Sequence, residues 1–129
     1  MSLPATAAPL AFVLTTNRAK SKPFYAQVLG LRLLGEDDHA VTFDLGNRTP
    51  LRLTQVMGHQ GSGHTVLGWH VADLRNVMAA LKAKGVTFKS YDGMGQDADG
   101  IWASLDGGAK LAWFTDPDGN VLSLTQFGD

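Results

Sequence analysis

Hydrophobic and polar residues alternate along several short stretches of this chain, which is the pattern of half-buried β-strands. Two other stretches carry apolar residues at helical spacing. Each follows a residue whose side chain can cap a helix, namely Asn17 and Asp73. Each ends at a glycine suited to a left-handed helix terminus, namely Gly30 and Gly85. The patterns predict two helices and eight strands: helices over 18–29 and 74–84, and strands over 10–16, 31–36, 39–45, 50–57, 64–71, 86–91, 109–115 and 120–127.

The order of these elements occurs twice. Residues 51–56 (LRLTQV) and 122–127 (LSLTQF) are similar, and each forms the last strand of a β-α-β-β-β series. Because such a repeat marks two equivalent structural units, we predict an α+β fold made of two βαβββ modules. We expect a single domain over residues 10–127, with a disordered lead-in at 1–9, one module at 10–57, a glycine-rich linker at 58–63 and a second module at 64–127.

Composition limits the classes of function. The chain has 129 residues, 44% of them hydrophobic, which suits one domain with its own core. Its net charge is −1 and it has no basic run, so we expect no nucleic-acid partner. The absence of cysteine excludes disulfides, thiolate zinc sites and cysteine nucleophiles, and fits a reducing compartment such as the cytoplasm. No apolar stretch approaches the ~20 residues of a membrane span, so we expect no membrane partner.

Two motifs resemble those of a known family. Residues 24–30 (FYAQVLG) lie in the first predicted helix, and residues 114–124 (FTDPDGNVLSL) lie near the carboxyl end. Together with the repeat, they resemble the vicinal-oxygen-chelate superfamily, which comprises glyoxalases, bleomycin resistance proteins and dioxygenases. The resemblance covers residues 10–127. It implies that each module forms a curved mixed sheet around a cavity, that the ligand is a small molecule, and that the protein is a homodimer.

The same resemblance assigns four positions to metal ligands, one on the first and one on the last strand of each module. In this sequence they are Leu10, Arg52, Val66 and Ser123. Leu and Val have no donor atoms, a guanidinium is a fixed cation, and a lone serine hydroxyl is a weak ligand. The sequence therefore predicts a metal-independent member that has no cofactor.

Alternation along the strands predicts which side chains face the cavity. This face is mainly apolar with a few polar groups, as in small-molecule pockets. We predict that five side chains contact a ligand: Phe12, Arg52, His70, Trp102 and Ser123.

Three of these five have alternative interpretations. Arg52 needs a compensating anion if it is buried, which would be the ligand or an Asp, and it is otherwise solvated. His70 is a hydrogen-bonding group or general base for a ligand, or a structural residue at a strand end. Trp102 lies in an irregular Gly- and Asp-rich segment, 92–108, where it covers the ligand as part of a flap or packs the loop onto the sheet. Trp113, in a strand, is interpreted as a core or interface residue.

The leading functional hypothesis is a small-molecule-binding protein of the bleomycin-resistance type, with a cavity suited to an anionic or flat apolar ligand. The alternative is a glyoxalase-like lyase or isomerase, or a dioxygenase, with an atypical active site. A protein-interaction module is a third hypothesis, because exposed tryptophans in strands could contact a partner. No catalytic residue is assigned by the sequence.

Overall fold

The computed structural model describes residues 2–128, and within them the chain forms two compact units that divide between His59 and Gln60. The first unit contains β1 (Ala11–Thr15), α1 (Arg18–Pro23), a π-helix (Phe24–Val28), β2 (Arg32–Glu36), β3 (Ala40–Asp44) and β4 (Pro50–Gln55). The second contains β5 (Thr65–His70), α2 (Leu74–Ala83), β6 (Trp102–Ala103), β7 (Ala109–Thr115) and β8 (Val121–Phe127). The predicted α+β fold of two βαβββ modules is confirmed.

Each unit has one four-stranded mixed sheet, and the two sheets share a topology. The strand order is β1-β4-β3-β2 in the first and β5-β8-β7-β6 in the second. The first and last strands of each unit pair in parallel, and the remaining neighbours are antiparallel. The last strand of each unit is therefore central, with both of its edges hydrogen-bonded.

One face of each sheet is covered by apolar packing. In the first unit the side chains of Leu51, Leu53 and Phe43 are fully buried, and the Tyr25 ring lies 6.0 Å from that of Phe43. In the second unit Leu122 and Phe114, on neighbouring strands, are fully buried. Leu74 and Met78 on α2 are almost fully buried. Because side chains alternate across a strand, the intervening residues point to the opposite face. We call this second face the open face.

The first helix differs from the prediction of one helix over 18–29. The α-helix ends at Pro23 and continues as a π-helix, with the amide of Leu29 bonded to the carbonyl of Phe24 five residues earlier at 3.0 Å. Pro23 has no N–H and its ring crowds the preceding turn, which breaks the regular hydrogen-bond ladder. The Asn17 cap formed as predicted, since its side chain accepts a hydrogen bond from the amide of Ala19 at 3.1 Å.

The prediction of a strand over 86–91 is wrong, and the sixth strand is instead Trp102–Ala103. The reason is the side-chain amide of Gln96. Its oxygen accepts from the Tyr91 amide at 2.6 Å, and its nitrogen donates to the carbonyls of Lys89 and Gly100 at 3.0 and 2.6 Å. Gln96 thus satisfies the Tyr91 amide and the Lys89 carbonyl in place of a strand ladder, while the Lys89 amide donates to the Trp113 carbonyl of β7 at 2.7 Å.

Candidate functional site

The open face of the first unit brings together two of the predicted ligand contacts. Phe12, Arg52 and Thr42 lie side by side on β1, β4 and β3. Phe12 is 57% exposed, and Leu10, just before β1, is 45% exposed. The result is a patch of exposed apolar side chains beside one guanidinium.

Arg52 already has a carboxylate partner, and this removes the reason to expect an anion there. Its Nη2 lies 3.2 Å from Oδ2 of Asp37, in the turn after β2, and its Nη1 lies 3.4 Å from the hydroxyl of Thr42. Among the alternatives for Arg52, the structure supports pairing with an Asp. Asp37 falls between the predicted strands 31–36 and 39–45, and the sequence gives no sign that its side chain reaches Arg52 on β4.

Asp37 gives the first unit a pH dependence. Its Oδ1 accepts from the amides of His39 and Ala40 at 2.8 and 2.9 Å, and these bonds, followed by the one from Arg52, lower its pKa to about 2. An unfolded Asp titrates near 3.8, so the folded protein gains stability above that pH and loses it as the pH falls towards 2. Urea unfolding between pH 4 and 2 should therefore show a steeper loss of stability in the wild type than in Asp37→Asn. Equal slopes would contradict this prediction.

The open face of the second unit contains the other three predicted contacts. His70, Thr125, Leu111 and Trp102 form one row across β5, β8, β7 and β6. His70 and Trp102 stand at opposite ends of this row, about 14 Å apart at the usual strand spacing. The His70 ring packs edge-to-face on Phe127, with a centroid distance of 5.2 Å. Trp102 belongs to the two-residue edge strand β6, so the expectation that the segment is irregular is wrong at this position.

Gly68, Ser123 and Trp113 form the adjacent row of the same face. A Cβ atom at Gly68 would lie 2.6 Å from the Ser123 hydroxyl, so Ser123 occupies the space that a side chain at 68 would fill. Ser123 is consequently only 6% exposed. Trp113, in contrast, is half-buried and borders an open groove.

This groove has a volume of about 490 Å³ and lies entirely within the second unit. Trp113 and Tyr91 meet edge-to-face at 5.7 Å along it. Its lining comprises Gly63, His64, Thr65, Tyr91, Asp92, Met94, Trp113 and Val121. Aromatic and apolar surface thus adjoins an imidazole, a hydroxyl and a carboxylate, which is the usual make-up of a small-molecule site.

Trp113 is the residue that sequence reasoning missed. Residues 116–120 join β7 to β8, so positions at equal distance from this five-residue turn pair, and Trp113 faces the same way as Ser123. A four-residue turn at 116–119 would instead pair Trp113 with Leu122, so the length of the turn decides which face Trp113 occupies. Tyr91, Asp92 and Met94 gave no comparable signal, because they lie in an irregular segment whose bond from the Tyr91 amide to Gln96 follows no periodic pattern.

The positions assigned to metal ligands do not fit a divalent cation. Leu10 and Val66 offer no donor, Arg52 is a cation paired with Asp37, and Ser123 is almost fully buried. In the described part of the chain, 2–128, no three His, Cys, Asp or Glu side chains converge as a metal site would require. We therefore assign no step to a metal. Over the same residues no helix has both the length and the apolar character needed to cross a bilayer.

Comparison with known proteins gives one family. The model of the Glyoxalase/Bleomycin resistance protein/Dioxygenase superfamily matches residues 9–124. None of the curated proteins matches the sequence significantly.

Solved structures of similar fold cover almost the whole chain. TnmS3, an antibiotic binding protein from Streptomyces sp. CB03234, is 25% identical, with a TM-score of 0.69 over 98% of this chain and 100% of its own. A superfamily member from Sphaerobacter thermophilus DSM 20745 is 23% identical, with a TM-score of 0.71 over 94% and 97%. Lactoylglutathione lyase from Agrobacterium tumefaciens is 14% identical, with a TM-score of 0.70 over 95% of each chain. The last two similarities establish the fold only.

Proposed function

The chain belongs to the Glyoxalase/Bleomycin resistance protein/Dioxygenase superfamily, and from that premise we propose that it is a cytoplasmic, metal-independent small-molecule-binding protein. It holds a flat, largely apolar ligand in the groove beside Trp113, without chemical conversion. The observation that carries this proposal is the groove itself, whose volume of about 490 Å³ suits a small molecule. The 25% identity to an antibiotic binding protein adds support.

The groove combines a stacking surface with hydrogen-bonding groups. Trp113 and Tyr91 supply aromatic surface, and Met94 adds a flexible thioether that adapts to ligand shape. Asp92 and His64 provide an acceptor and an imidazole at the rim. A planar ring system carrying a hydrogen-bond donor is therefore the ligand chemistry that fits best. His70, Trp102 and Ser123 extend the site along the same open face in this proposal.

Two predicted contacts lie on the other unit. Phe12 and Arg52 remain candidate ligand contacts, and they present apolar surface and a neutralised guanidinium on the open face of the first sheet. They fit an apolar ligand better than an anionic one, because Asp37 compensates the charge of Arg52. We accordingly propose a flat apolar ligand and no anion at Arg52.

Trp113→Leu should weaken binding of a planar aromatic ligand about tenfold or more. Aromatic contacts contribute about 0.5–1.5 kcal/mol beyond the burial of their area, and about 1.4 kcal/mol corresponds to a factor of ten in affinity. A panel of planar aromatic compounds screened by ligand-observed NMR would identify a binder, and titration of both proteins would give the change in Kd.

Trp69→Leu is the matched control. Trp69 lies on β5 in register with Leu124, on the covered face of the same sheet. We expect this variant to lose stability and to retain affinity. Equal loss of affinity in the two variants, or unchanged binding in Trp113→Leu, would rule out the groove as the site.

Metal independence separates this proposal from the enzyme alternative. Glyoxalase-type lyases, isomerases and dioxygenases of the superfamily use a metal as a Lewis acid. We expect the affinity of the NMR-identified binder to be the same before and after EDTA treatment. Stoichiometric divalent metal in the purified protein, with binding lost on chelation, would favour the enzyme.

We also propose that the protein is a homodimer. Leu10, Phe12 and Val56 on the first unit are exposed and apolar, and each sheet has two unpaired edges. Light scattering at micromolar concentration should give twice the 13.8 kDa mass of the chain. A monomer mass would contradict this part of the proposal and leave the groove unaffected.

A further inference from the structure

The hairpin between β3 and β4 contains an arginine in an unfavourable backbone conformation. Asn47 and Arg48 have φ angles of 50° and 62°, and the Thr49 amide bonds to the Gly46 carbonyl at 3.0 Å. Positive φ at both central residues defines a type I′ turn, in which the second position strongly favours glycine. Asparagine tolerates this conformation, but a long side chain such as that of Arg48 does so only at a cost.

Arg48 borders a cleft of about 360 Å³ in the first unit. Its lining comprises Arg32, Leu34, Asp44, Asn47, Arg48, Thr49 and Pro50. Arg32 is paired with Asp44, through a single contact of 2.9 Å between Nη2 and Oδ2. Among the residues that the structure describes, Arg48 has no acidic side chain within ion-pair distance.

The balance of charge in this cleft is positive. The bond from Arg32, and then that from the Gly46 amide, lowers the pKa of the Asp44 carboxyl, so Asp44 is ionised at neutral pH. Two guanidinium groups and one carboxylate leave a net charge of +1. Leu34, which is 48% exposed, and Pro50 add apolar surface beside the charges.

We propose that this cleft is a binding site for the carboxylate of a small organic acid. The Arg48 guanidinium pairs with the carboxylate, the unoccupied donors of Arg32 add further hydrogen bonds, and the apolar part of the acid covers Leu34 and Pro50. A single negative charge matches the net charge of the cleft, whereas an inorganic phosphate dianion would lack apolar contacts. This site is separate from the groove beside Trp113 and does not depend on the proposed function.

The test compares benzoate with its neutral isostere benzyl alcohol, by titration monitored through the backbone amide resonances of residues 45–49. Benzoate should give saturable shifts in the wild type with a millimolar Kd, and benzyl alcohol should give none at the same concentrations. Arg48→Gln retains a long side chain and removes the charge, and it should weaken benzoate binding tenfold or more.

Arg48→Gly distinguishes a binding role from a structural one. Because glycine adopts positive φ freely, this variant should raise the Tm by about 2–4 °C while also losing benzoate binding. An arginine that serves the fold would instead show a lower Tm on substitution. Unchanged benzoate binding in Arg48→Gln, or equal responses to benzoate and benzyl alcohol, would overturn the proposal.

Discussion

Asp116→Ala is expected to lower the free energy of unfolding by about 3 kcal/mol or more. The Asp116 carboxylate is 5% exposed and lies in the turn between β7 and β8. Its Oδ1 accepts from the amides of Asp118 and Asn120 at 2.9 and 3.0 Å, and its Oδ2 accepts from the side-chain amide of Asn120 at 2.8 Å. Asn120 is itself 2% exposed, so its donors cannot turn to water. Each buried donor left without a partner costs about 1–3 kcal/mol.

Two variants serve as controls for Asp116→Ala in chemical denaturation. Asp116→Asn keeps one oxygen acceptor in place and should lose less stability. Asp106→Ala removes two bonds of the same kind, from the Gly108 amide and the Ser104 hydroxyl, at an exposed turn where water replaces them. It should change the free energy of unfolding by under about 1 kcal/mol. Equal losses of unfolding free energy in Asp116→Ala and Asp106→Ala would show that burial of the turn at 116–120 contributes nothing to stability.

The structure of the turn at 116–120 explains why the motif at 114–124 has the residues that it has. Asp116 supplies the acceptor, Gly119 has a φ of 81° that favours glycine, and Asn120 fills the buried space beside the carboxylate. Val121 follows directly and lines the groove. A motif that identifies the family thus serves the fold of the second unit and sets the start of the strand beside the proposed ligand.

The face on which most of these side chains lie was predictable, because it depends only on alternation and on the repeat. Phe12 and Arg52 on one face of the first sheet, and His70 and Ser123 on one face of the second, follow from side chains that alternate with a period of two. The module order followed from the helix caps and closing glycines for the same reason. These features depend on neighbouring residues or on a periodic pattern, so they can be predicted from the sequence.

Features that depend on single long-range contacts were not predictable. Gln96 bonds to the Tyr91 amide and the Lys89 carbonyl in place of backbone partners, and Asp37 reaches across to Arg52. Neither contact has a periodic pattern in the sequence. The Gln96 contacts change the position of the sixth strand, and the Asp37 contact neutralises the charge of Arg52. Pro23 is an intermediate case, since a proline inside the predicted helix 18–29 conflicts with the hydrogen bonding of a regular helix, whereas the π-helix that results has no signal in the sequence.

Gly61→Ala is the second variant with a large expected effect, because the linker passes very close to the turn at 116–120. A Cβ atom at Gly61 would overlap the carbonyl oxygen of Gly119 and lie 2.6 Å from its carbon and 3.1 Å from the nitrogen of Asn120. These are backbone atoms, so no side-chain rotation relieves the overlap. Residues 61–65 must shift, at a cost of about 1–3 kcal/mol in the free energy of unfolding. The shift would carry His64 and Thr65 away from the groove, so affinity for the planar ligand should fall with stability.

Gly35→Ala tests whether this effect belongs to the close approach or to glycine replacement in general. Gly35 has an ordinary φ, and a Cβ atom there would meet nothing within 4 Å. The free energy of unfolding and the free energy of ligand binding of Gly35→Ala should remain within about 0.5 kcal/mol of the wild-type values. Amide shifts confined to 61–65 and 119–121 in Gly61→Ala would place the disturbance at the contact. If both variants unfold at the same denaturant concentration as the wild type, then the linker is free to move, and the position of His64 at the groove is not fixed by Gly61.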